Sequence, residues 1–184
     1  REDHRGWELS GRTVGIIGYG NTGKSFAKRI SGFDVITICY DILDNVGDQF
    51  AQQVDWETLQ KQSEIISLHI PENDLTRGMI DKKFIAGMSH PFWLLNTARG
   101  SAVITEDLVA GLQSQKIMGA GLDVLEYETR SFSSIFNGDE LTPALLYLLE
   151  ADHVLLSPHV AGWSRESHVK LANIIVEKVK KLFF

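Results

Sequence analysis

The chain has 184 residues, of which 43% are hydrophobic and 23% are charged, as in a globular domain with a sizeable core. With 24 acidic and 18 basic side chains, its net charge of -6 argues against a nucleic-acid-binding protein. Cys39 is the only cysteine, which excludes an intrachain disulfide and a cysteine-cluster metal site. No apolar stretch approaches the length of a membrane span and REDHRGWELS is not a signal peptide, so we expect a cytoplasmic protein.

Short apolar runs alternate along the chain with longer amphipathic ones. The predicted strands are RTVGII (12–17), VITICY (35–40), EIISLHI (64–70), PFWLLNT (91–97), IMGAGLDVL (117–125) and HVLLS (153–157). The predicted helices are 22–31, 56–62, 81–88, 105–116, one that begins at Pro143, and 164–184. Asp55 and Thr105 are the expected N-caps of two of these helices. Apolar strands separated by helices predict an α/β fold with a doubly wound parallel sheet.

The stretch GYGNTGKS (18–25) fits two phosphate-binding patterns. As a P-loop it uses Lys24 for the phosphates and Ser25 for a magnesium ion, and predicts a nucleotide hydrolase. As the G-x-G-x-x-G turn of a dinucleotide-binding fold it uses its three glycines, and predicts an oxidoreductase. A strand precedes the stretch and a helix follows it in both folds, so the stretch alone does not decide between them.

An acidic residue after the second strand favours the dinucleotide-binding pattern. Asp41 follows the glycine stretch at close to the roughly 20 residues expected for the acid that binds the adenosine ribose. A carboxylate at this position accepts hydrogen bonds from the ribose hydroxyls and repels a 2′-phosphate, so NAD is expected rather than NADP. In this pattern Gly18 permits the turn, Gly20 lets the backbone approach the pyrophosphate, and Gly23 lets the helix pack closely on the strand.

Three later stretches follow the ends of predicted strands: NTARG (96–100), GLDVLEYE (121–128) and SPHVAGW (157–163). Because the carboxyl ends of parallel strands line the ligand crevice, these stretches bring an arginine, several carboxylates and a histidine to one edge. A P-loop hydrolase has no use for this set of groups.

Together with ELSGRTVGIIGYGNTGKSFAKR, Asp41 and SLHIPEN, these stretches resemble the D-2-hydroxyacid dehydrogenases, in particular the phosphoglycerate dehydrogenase-like members. The likeness runs from about Gly6 through the last helix. It implies a Rossmann-type NAD-binding fold, with Arg99 binding the substrate carboxylate and carbonyl and His159 acting as acid/base. It implies Glu128 as the partner of His159. Thr129 stands where the family usually has proline, so Glu126 is kept as an alternative partner.

The resemblance also implies a set of cofactor contacts, among them Asp123 at the nicotinamide carboxamide. The full expected set is Gly18, Gly20, Asn21, Thr22, Gly23, Asp41, His69, Ile70, Pro71, Thr76, Thr97, Ala98, Arg99, Asp123, His159, Ala161 and Gly162. His69 is expected to pack against the cofactor rather than to act in catalysis. No histidine pair has metal-ligand spacing beside an acid, so no metal is expected.

The family likeness predicts hydride transfer between NAD and a small D-2-hydroxy or 2-keto acid, with 3-phosphoglycerate, D-lactate, glyoxylate and hydroxypyruvate as candidates. We interpret residues 1–184 as one dinucleotide-binding domain whose terminal helices cross to a substrate domain absent from the chain. The last helix carries the apolar stripe Leu171, Ile175, Val179 and Leu182. The apolar run PALLYLLEA (143–151) predicts a homodimer. The alternatives are an NAD-sensing scaffold protein and a P-loop hydrolase.

Overall fold

A computed structural model describes residues 6–126 and 142–183. Its centre is a sheet of seven strands, all of whose pairings are parallel. The strands are β1 Thr13–Ile17, β2 Ile36–Tyr40, β3 Gln52–Gln53, β4 Ile65–Leu68, β5 Phe92–Asn96, β6 Ile117–Leu122 and β7 Val154–Leu156. The helices are α1 Asn21–Ile30, α2 Trp56–Gln62, α3 Lys82–Gly87, α4 Thr105–Gln113, α5 Pro143–Glu150 and α6 Arg165–Phe183.

The strands lie in the order β3-β2-β1-β4-β5-β6-β7, which confirms the predicted doubly wound parallel sheet. The order reverses at β1, which pairs with β2 on one side and with β4 on the other. In such sheets the ligand crevice opens beyond the carboxyl ends of the strands at this reversal. The fold therefore places the glycine stretch that follows β1 at the expected binding position.

Apolar side chains cover both faces of the sheet. Neighbouring residues Ile16 and Ile17 of β1 point to opposite faces and belong to two separate buried clusters. The larger cluster includes Leu59 of α2 and Phe92 and Leu94 of β5, whereas the smaller includes Ala27 of α1. This double burial explains why the strand sequences are apolar throughout rather than alternating.

Two predictions about local structure need correction. The sequence predicts six strands, but Gln52 and Gln53 add a seventh at the sheet edge beside Ile38 and Cys39. Two polar residues are too few to show any periodicity, so this strand has no sequence signal. Thr105 was the expected N-cap of α4, but it is the first helical residue and is buried. Its N–H donates instead to the carboxylate of Glu126 at 2.8 Å.

The last helix differs from the others because none of its residues is buried. The predicted stripe residues are all exposed: Leu171 60%, Ile175 61%, Val179 45% and Leu182 76%. Hydrophobic side chains at these spacings form an apolar face that no other element in the described part of the chain buries. Within residues 6–126 and 142–183, no helix combines the length and the apolarity that crossing a membrane requires.

Candidate functional site

The glycine stretch forms a tight turn between β1 and α1. Gly18 has a φ of +90°, and a Cβ there would lie 2.5 Å from the carbonyl oxygen of His69. Gly23 is buried, and a Cβ on it would overlap the carbonyl of Gly18. A Cβ on Gly20 would meet nothing within 4 Å, so this position faces open space. These surroundings match the three roles expected of the glycines in a dinucleotide-binding turn.

Helix α1 presents its amino terminus to the same open space. Gly20 is its N-cap and supplies no side-chain hydrogen bond, so the first N–H groups, which include those of Asn21, Thr22 and Gly23, are available to an anion. Lys24 does not point to this position like a P-loop lysine. Its Nζ lies 5.5 Å from the centre of the Tyr19 ring. The arrangement favours a pyrophosphate bound by backbone amides and not by Lys24.

The carboxylate of Asp41 is held in place at the end of β2. One oxygen, Oδ2, accepts a hydrogen bond from the Tyr19 N–H at 2.7 Å, and Oδ1 accepts one from the Leu43 N–H at 3.0 Å. Each carboxylate oxygen has capacity for a further hydrogen bond. Asp41 can therefore accept hydrogen bonds from a ribose without giving up its fixed position.

A cavity of about 610 Å³ opens beside this carboxylate. Seven of the expected cofactor residues line it: Gly18, Gly20, Asp41, His69, Ile70, Pro71 and Thr76. Sequence reasoning missed its apolar wall, formed by Ile42, Leu43, Trp56, Leu75 and Met79 among others. The sequence feature that could have identified this wall is the apolar pair Ile42 and Leu43 directly after Asp41. Side chains that follow a strand at this edge face the crevice. Apolar walls beside a fixed carboxylate are the lining expected of an adenosine site.

His69 forms part of the floor of this cavity and is uncharged at neutral pH. Burial lowers the pKa of its imidazole to about 4. Its Nε2 is hydrogen-bonded to the hydroxyl of Ser67 at 3.0 Å, and its ring centre lies 5.0 Å from that of Phe26. This environment fits the packing role expected of His69 and does not fit an acid/base, which should titrate near neutral pH.

Thr76 holds the turn that follows β4. Its hydroxyl donates to the carbonyl of Pro71 at 2.7 Å and accepts from the Asn73 N–H at 3.0 Å. The residue is buried. Its side chain therefore shapes the rim of the cavity through Pro71.

The NTARG loop after β5 is organised by a buried asparagine that sequence reasoning did not single out. Asn96 is fully buried; its Oδ1 accepts from the Ala98 N–H at 3.1 Å and its Nδ2 donates to the Arg99 carbonyl at 3.0 Å. The loop is bent around this side chain, so Thr97 and Arg99 are exposed while Ala98 is buried. Asn96 thus fixes the direction in which the Arg99 guanidinium leaves the sheet edge.

The loop after β7 is organised in a similar way by Asp123, which is 3% exposed. Its carboxylate accepts hydrogen bonds from the Ser157 hydroxyl at 2.6 Å and from the N–H groups of Val160 at 2.8 Å and Ala161 at 2.9 Å. Burial acts to raise the pKa of Asp123, but these hydrogen bonds and the nearby His159 outweigh burial and lower it. The charged carboxylate therefore holds the His159 loop from beneath.

Backbone hydrogen bonds connect these loops in one row. The Asp123 N–H donates to the Asn96 carbonyl at 2.9 Å, and the His159 N–H donates to the Asp123 carbonyl at 2.9 Å. His159 has a φ of +52°, in the left-handed region, and its side chain is partly buried. Ala161 and Gly162 follow it on the surface. Arg99 and His159 thus stand on adjacent loops of the edge that carries the glycine turn.

The structure describes only one of the two candidate partners of His159. Glu126 is exposed, and its Oε2 accepts the Thr105 N–H at 2.8 Å, which gives it a role at the start of α4. Glu128 lies outside the described residues. Among residues 6–126 and 142–183, no group of three or more His, Cys, Asp and Glu side chains could hold a metal ion.

Residues 1–161 match the family model of the D-isomer specific 2-hydroxyacid dehydrogenases, NAD binding domain. The chain belongs to this family. NAD is accordingly the cofactor of this dehydrogenase domain, and the fixed Asp41, the open space at Gly20 and the bare amino terminus of α1 fit it.

Individual relatives agree with the family assignment. The chain is 37% identical over 177 residues to a hydroxypyruvate reductase from Thermotoga maritima, covering 96% of the chain and 55% of that protein. It is 33% identical to a glyoxylate reductase from Thermococcus litoralis, covering 95% and 50%. The NAD-complexed D-isomer specific 2-hydroxyacid dehydrogenase from Lactobacillus delbrueckii superposes with a TM-score of 0.85 at 30% identity, covering 97% and 55%. The chain thus spans about half the length of the relatives it matches.

Proposed function

We propose that the protein is an NAD-dependent D-2-hydroxyacid dehydrogenase that transfers a hydride between C2 of a D-2-hydroxy acid and the nicotinamide. The row of hydrogen bonds that runs from Asn96 through Asp123 to His159 supports this proposal most directly. It places an arginine loop and a histidine loop side by side on the NAD-binding edge. A scaffold protein that only senses NAD would not need an arginine and a histidine on these two adjacent loops.

In the proposed reaction His159 takes the proton from the substrate hydroxyl during oxidation and returns it to the carbonyl oxygen during reduction. NAD, when bound, accepts or gives the hydride at C2. Asp123 lies beneath the His159 loop and holds it through the N–H groups of Val160 and Ala161. Glu128 is the proposed carboxylate partner of the ring. Glu126 is the weaker alternative, since its carboxylate already accepts the Thr105 N–H.

Arg99 is proposed to bind the substrate carboxylate. Its guanidinium offers two parallel N–H donors to the two carboxylate oxygens, and its charge stabilises negative charge that develops on the carbonyl oxygen during reduction. Arg99 is exposed and its NH1 donates to the carbonyl of Ala98 at 2.6 Å, so the guanidinium is anchored at one point and has further N–H donors for a substrate. This arrangement suits a small anionic substrate that approaches from outside the sheet edge.

The cofactor contacts are proposed in two groups. The first group, which holds the adenosine and the pyrophosphate, is Gly18, Gly20, Asn21, Thr22, Gly23, Asp41, His69, Ile70, Pro71 and Thr76. The second group, at the nicotinamide, is Thr97, Ala98, Arg99, Asp123, His159, Ala161 and Gly162. Asp123 contacts the carboxamide in this proposal, through the capacity left on Oδ2 after the hydrogen bond from Ala161.

The substrate is proposed to be a small 2-keto acid and its D-2-hydroxy counterpart. Hydroxypyruvate and glyoxylate are the first candidates because the relatives from Thermotoga maritima and Thermococcus litoralis are reductases of these names. D-lactate and 3-phosphoglycerate are further candidates. The test is a panel of 2-keto acids assayed with NADH and the intact protein. Oxidation of NADH by at least one acid is expected, whereas NADH binding without turnover on any of them would favour the scaffold alternative.

We propose that residues 1–184 form the dinucleotide-binding domain and that α6 crosses to a substrate-binding domain. The support is the exposed stripe of Leu171, Ile175, Val179 and Leu182. Residues 6–12 form no helix, so this described segment supplies no second helical crossing. Limited proteolysis of the intact protein should leave α6 protected. Early cleavage within α6 would contradict the crossing.

A homodimer in the cytoplasm is proposed for the intact enzyme. Helix α5 buries Leu145 and Leu148 against the domain but leaves Leu146 41% and Leu149 43% exposed, which is the kind of apolar surface that protein interfaces cover. Light scattering at high concentration should give twice the monomer mass. A monomeric mass would contradict the dimer, and recovery with secreted or membrane fractions would contradict the location.

A further inference from the structure

Tyr19 connects three segments around the adenosine cavity although it stands in the middle of the glycine turn. The residue is 1% exposed. Its backbone N–H donates to Asp41 Oδ2 at 2.7 Å, and its hydroxyl donates to Asp48 Oδ1 at 2.7 Å. The side chain thus runs from the glycine turn, past the end of β2, to the loop that leads into β3.

Hydrogen bonds hold Asp48 in the position where it accepts the Tyr19 hydroxyl. Its Oδ1 also accepts the Phe50 N–H at 2.8 Å, and its own N–H donates to the Ala51 carbonyl at 3.1 Å. The hydrogen bond from Tyr19, followed by that from Phe50, lowers the pKa of Asp48, while burial and Asp48 together raise the pKa of Tyr19. The pair is therefore a phenol that donates to a carboxylate over the whole neutral range.

Lys24 completes the arrangement. Its ammonium group lies 5.5 Å from the centre of the Tyr19 ring, and its charge contributes to the low pKa of Asp48. The lysine that made GYGNTGKS resemble a P-loop thus faces the Tyr19–Asp48 pair.

The Tyr19–Asp48 pair bounds the wall segment, residues 42–47, on one side of the cavity. Ile42 and Leu43 of this segment line the cavity and are 72% and 63% exposed, so packing alone does not hold them. The segment is tied at one end through Asp41 and at the other through Asp48, and both ties lead to Tyr19. Between them, the Gln53 side chain accepts from the Val46 N–H and donates to the Leu43 carbonyl.

We propose that Tyr19 and Asp48 are positioning residues for the cofactor: their hydrogen bond fixes the wall segment and thereby sets the affinity for NAD(H) and the preference over NADP(H). A fixed wall holds Ile42 and Leu43 against the adenosine without an ordering cost at binding. It also keeps the Asp41 carboxylate in a fixed position, from which it repels a 2′-phosphate. The proposal rests on NAD being the cofactor, and it places neither residue near the reacting atoms.

The test compares Tyr19→Phe, Asp48→Ala and the double variant of the intact protein by direct NADH and NADPH titration. Each single variant should raise the Kd for NADH about tenfold, since the wall segment must then be ordered when the cofactor binds. NADPH binding should weaken less, so that the preference for NADH falls about threefold. The double variant should bind NADH no more weakly than the weaker single variant, because both changes remove the same connection. Turnover at saturating NADH should stay within about twofold of the unaltered protein.

Matched controls separate the pair from general effects of charge or folding. Asp44→Ala removes one negative charge from within the wall segment, as Asp48→Ala does at its end, and Tyr147→Phe removes a hydroxyl from α5 at the other edge of the sheet. Both should leave the Kd for NADH unchanged. Equal weakening by Asp44→Ala would overturn the proposal, as would strictly additive effects in the double variant. A lowered melting temperature with an unchanged Kd would show a purely structural pair and overturn it too. Unaltered protein that fails to bind NADH would contradict the assigned cofactor itself, whereas binding without turnover would contradict only the proposed reaction.

Discussion

The two halves of the ligand edge are built differently. Around the ends of β1, β2 and β4 the chain surrounds a cavity of about 610 Å³ with its own apolar walls. Around the ends of β5, β6 and β7 the buried side chains of Asn96 and Asp123 hold loops whose outer residues, Thr97, Ala161 and Gly162, are exposed. The proposed adenosine half is thus an open cavity with apolar walls within this chain, whereas the proposed nicotinamide half is a platform of loops whose outer residues are exposed. Affinity for the cofactor should depend mainly on the first half, and chemistry on the second.

The largest expected effect comes from a substitution in the nicotinamide half alone. His159→Ala in the intact enzyme should lower kcat by roughly two to four orders of magnitude, because a positioned acid/base is lost. NADH binding should survive, since the adenosine cavity is untouched. Steady-state kinetics and NADH titration measure the two effects separately. His153→Ala, an exposed histidine at the opposite edge, is the control, and near-full turnover by His159→Ala would refute the acid/base assignment.

The next effect concerns the pH dependence of stability in the adenosine half. Because burial holds the pKa of His69 at about 4, below its ordinary 6.5, the unfolded chain takes up this proton first as the pH falls. The contribution of His69 is therefore complete above pH 6.5 and is lost progressively towards pH 4, to a total of about 3 kcal/mol. In His69→Gln the free energy of unfolding should change much less over this window, as chemical denaturation at several pH values would measure.

The carboxylates with lowered pKa values also lose their stabilising effect in acid, but in a lower range. Glu64, whose ordinary pKa is 4.5, Asp48 and Asp123 contribute stability above their unfolded pKa values and lose it below them. Of these four groups, only His69 therefore changes the free energy of unfolding between pH 6.5 and 4.5. An unchanged slope in His69→Gln over that window would contradict the buried neutral imidazole.

A third prediction tests how the platform is held. Asp123→Asn puts an amide among the donors of Ser157, Val160 and Ala161, so at least one of these donors loses its acceptor at the buried Asp123 side chain. This should lower the free energy of unfolding by about 2 kcal/mol. It should reduce kcat about tenfold as the His159 loop loosens. Calorimetry and kinetics measure both, with the exposed Asp152→Asn as an isosteric control. Unchanged stability would show that the carboxylate does not hold the loop.

The smallest predicted effect concerns cofactor choice in the adenosine half. Asp41→Ser removes the carboxylate that accepts ribose hydroxyls and repels a 2′-phosphate, so the preference for NADH over NADPH should fall about tenfold. Ratios of kcat/KM for the two cofactors measure it. Glu72→Ser, which replaces an exposed acid near the same cavity, is the control for net charge. An equal change in that variant would show that the overall surface charge, and not the Asp41 carboxylate, sets the preference.

Sequence reasoning succeeded where one residue's local chemistry sets the outcome. Asp55 was predicted to cap α2, and its carboxylate accepts the Thr58 N–H at 2.7 Å. The pattern of glycines predicted the turn, because Gly18 needs its positive φ. The strand ends then placed Asp41, Arg99 and His159 on one edge, since parallel strands share their direction.

It failed where the deciding contact comes from a distant part of the chain. The cap of α4 is supplied by Glu126, 21 residues further along the chain. The prediction of Thr105 as the cap was wrong because it considered only neighbouring residues. Asn96 and Asp123 bind loops from beneath, and their burial is visible only once the strands are side by side. The Tyr19–Asp48 hydrogen bond spans 29 residues and has no sequence pattern of its own.

The left-handed backbone conformation of His159 lowers the stability of the domain. A φ of +52° costs a side chain with a Cβ about 1 kcal/mol relative to glycine. Selection for stability alone would therefore replace this histidine with glycine, or with asparagine as a second choice, and would avoid valine or isoleucine. The chain nevertheless carries histidine here, so a library screened only for heat resistance should discard the imidazole on which turnover is proposed to depend.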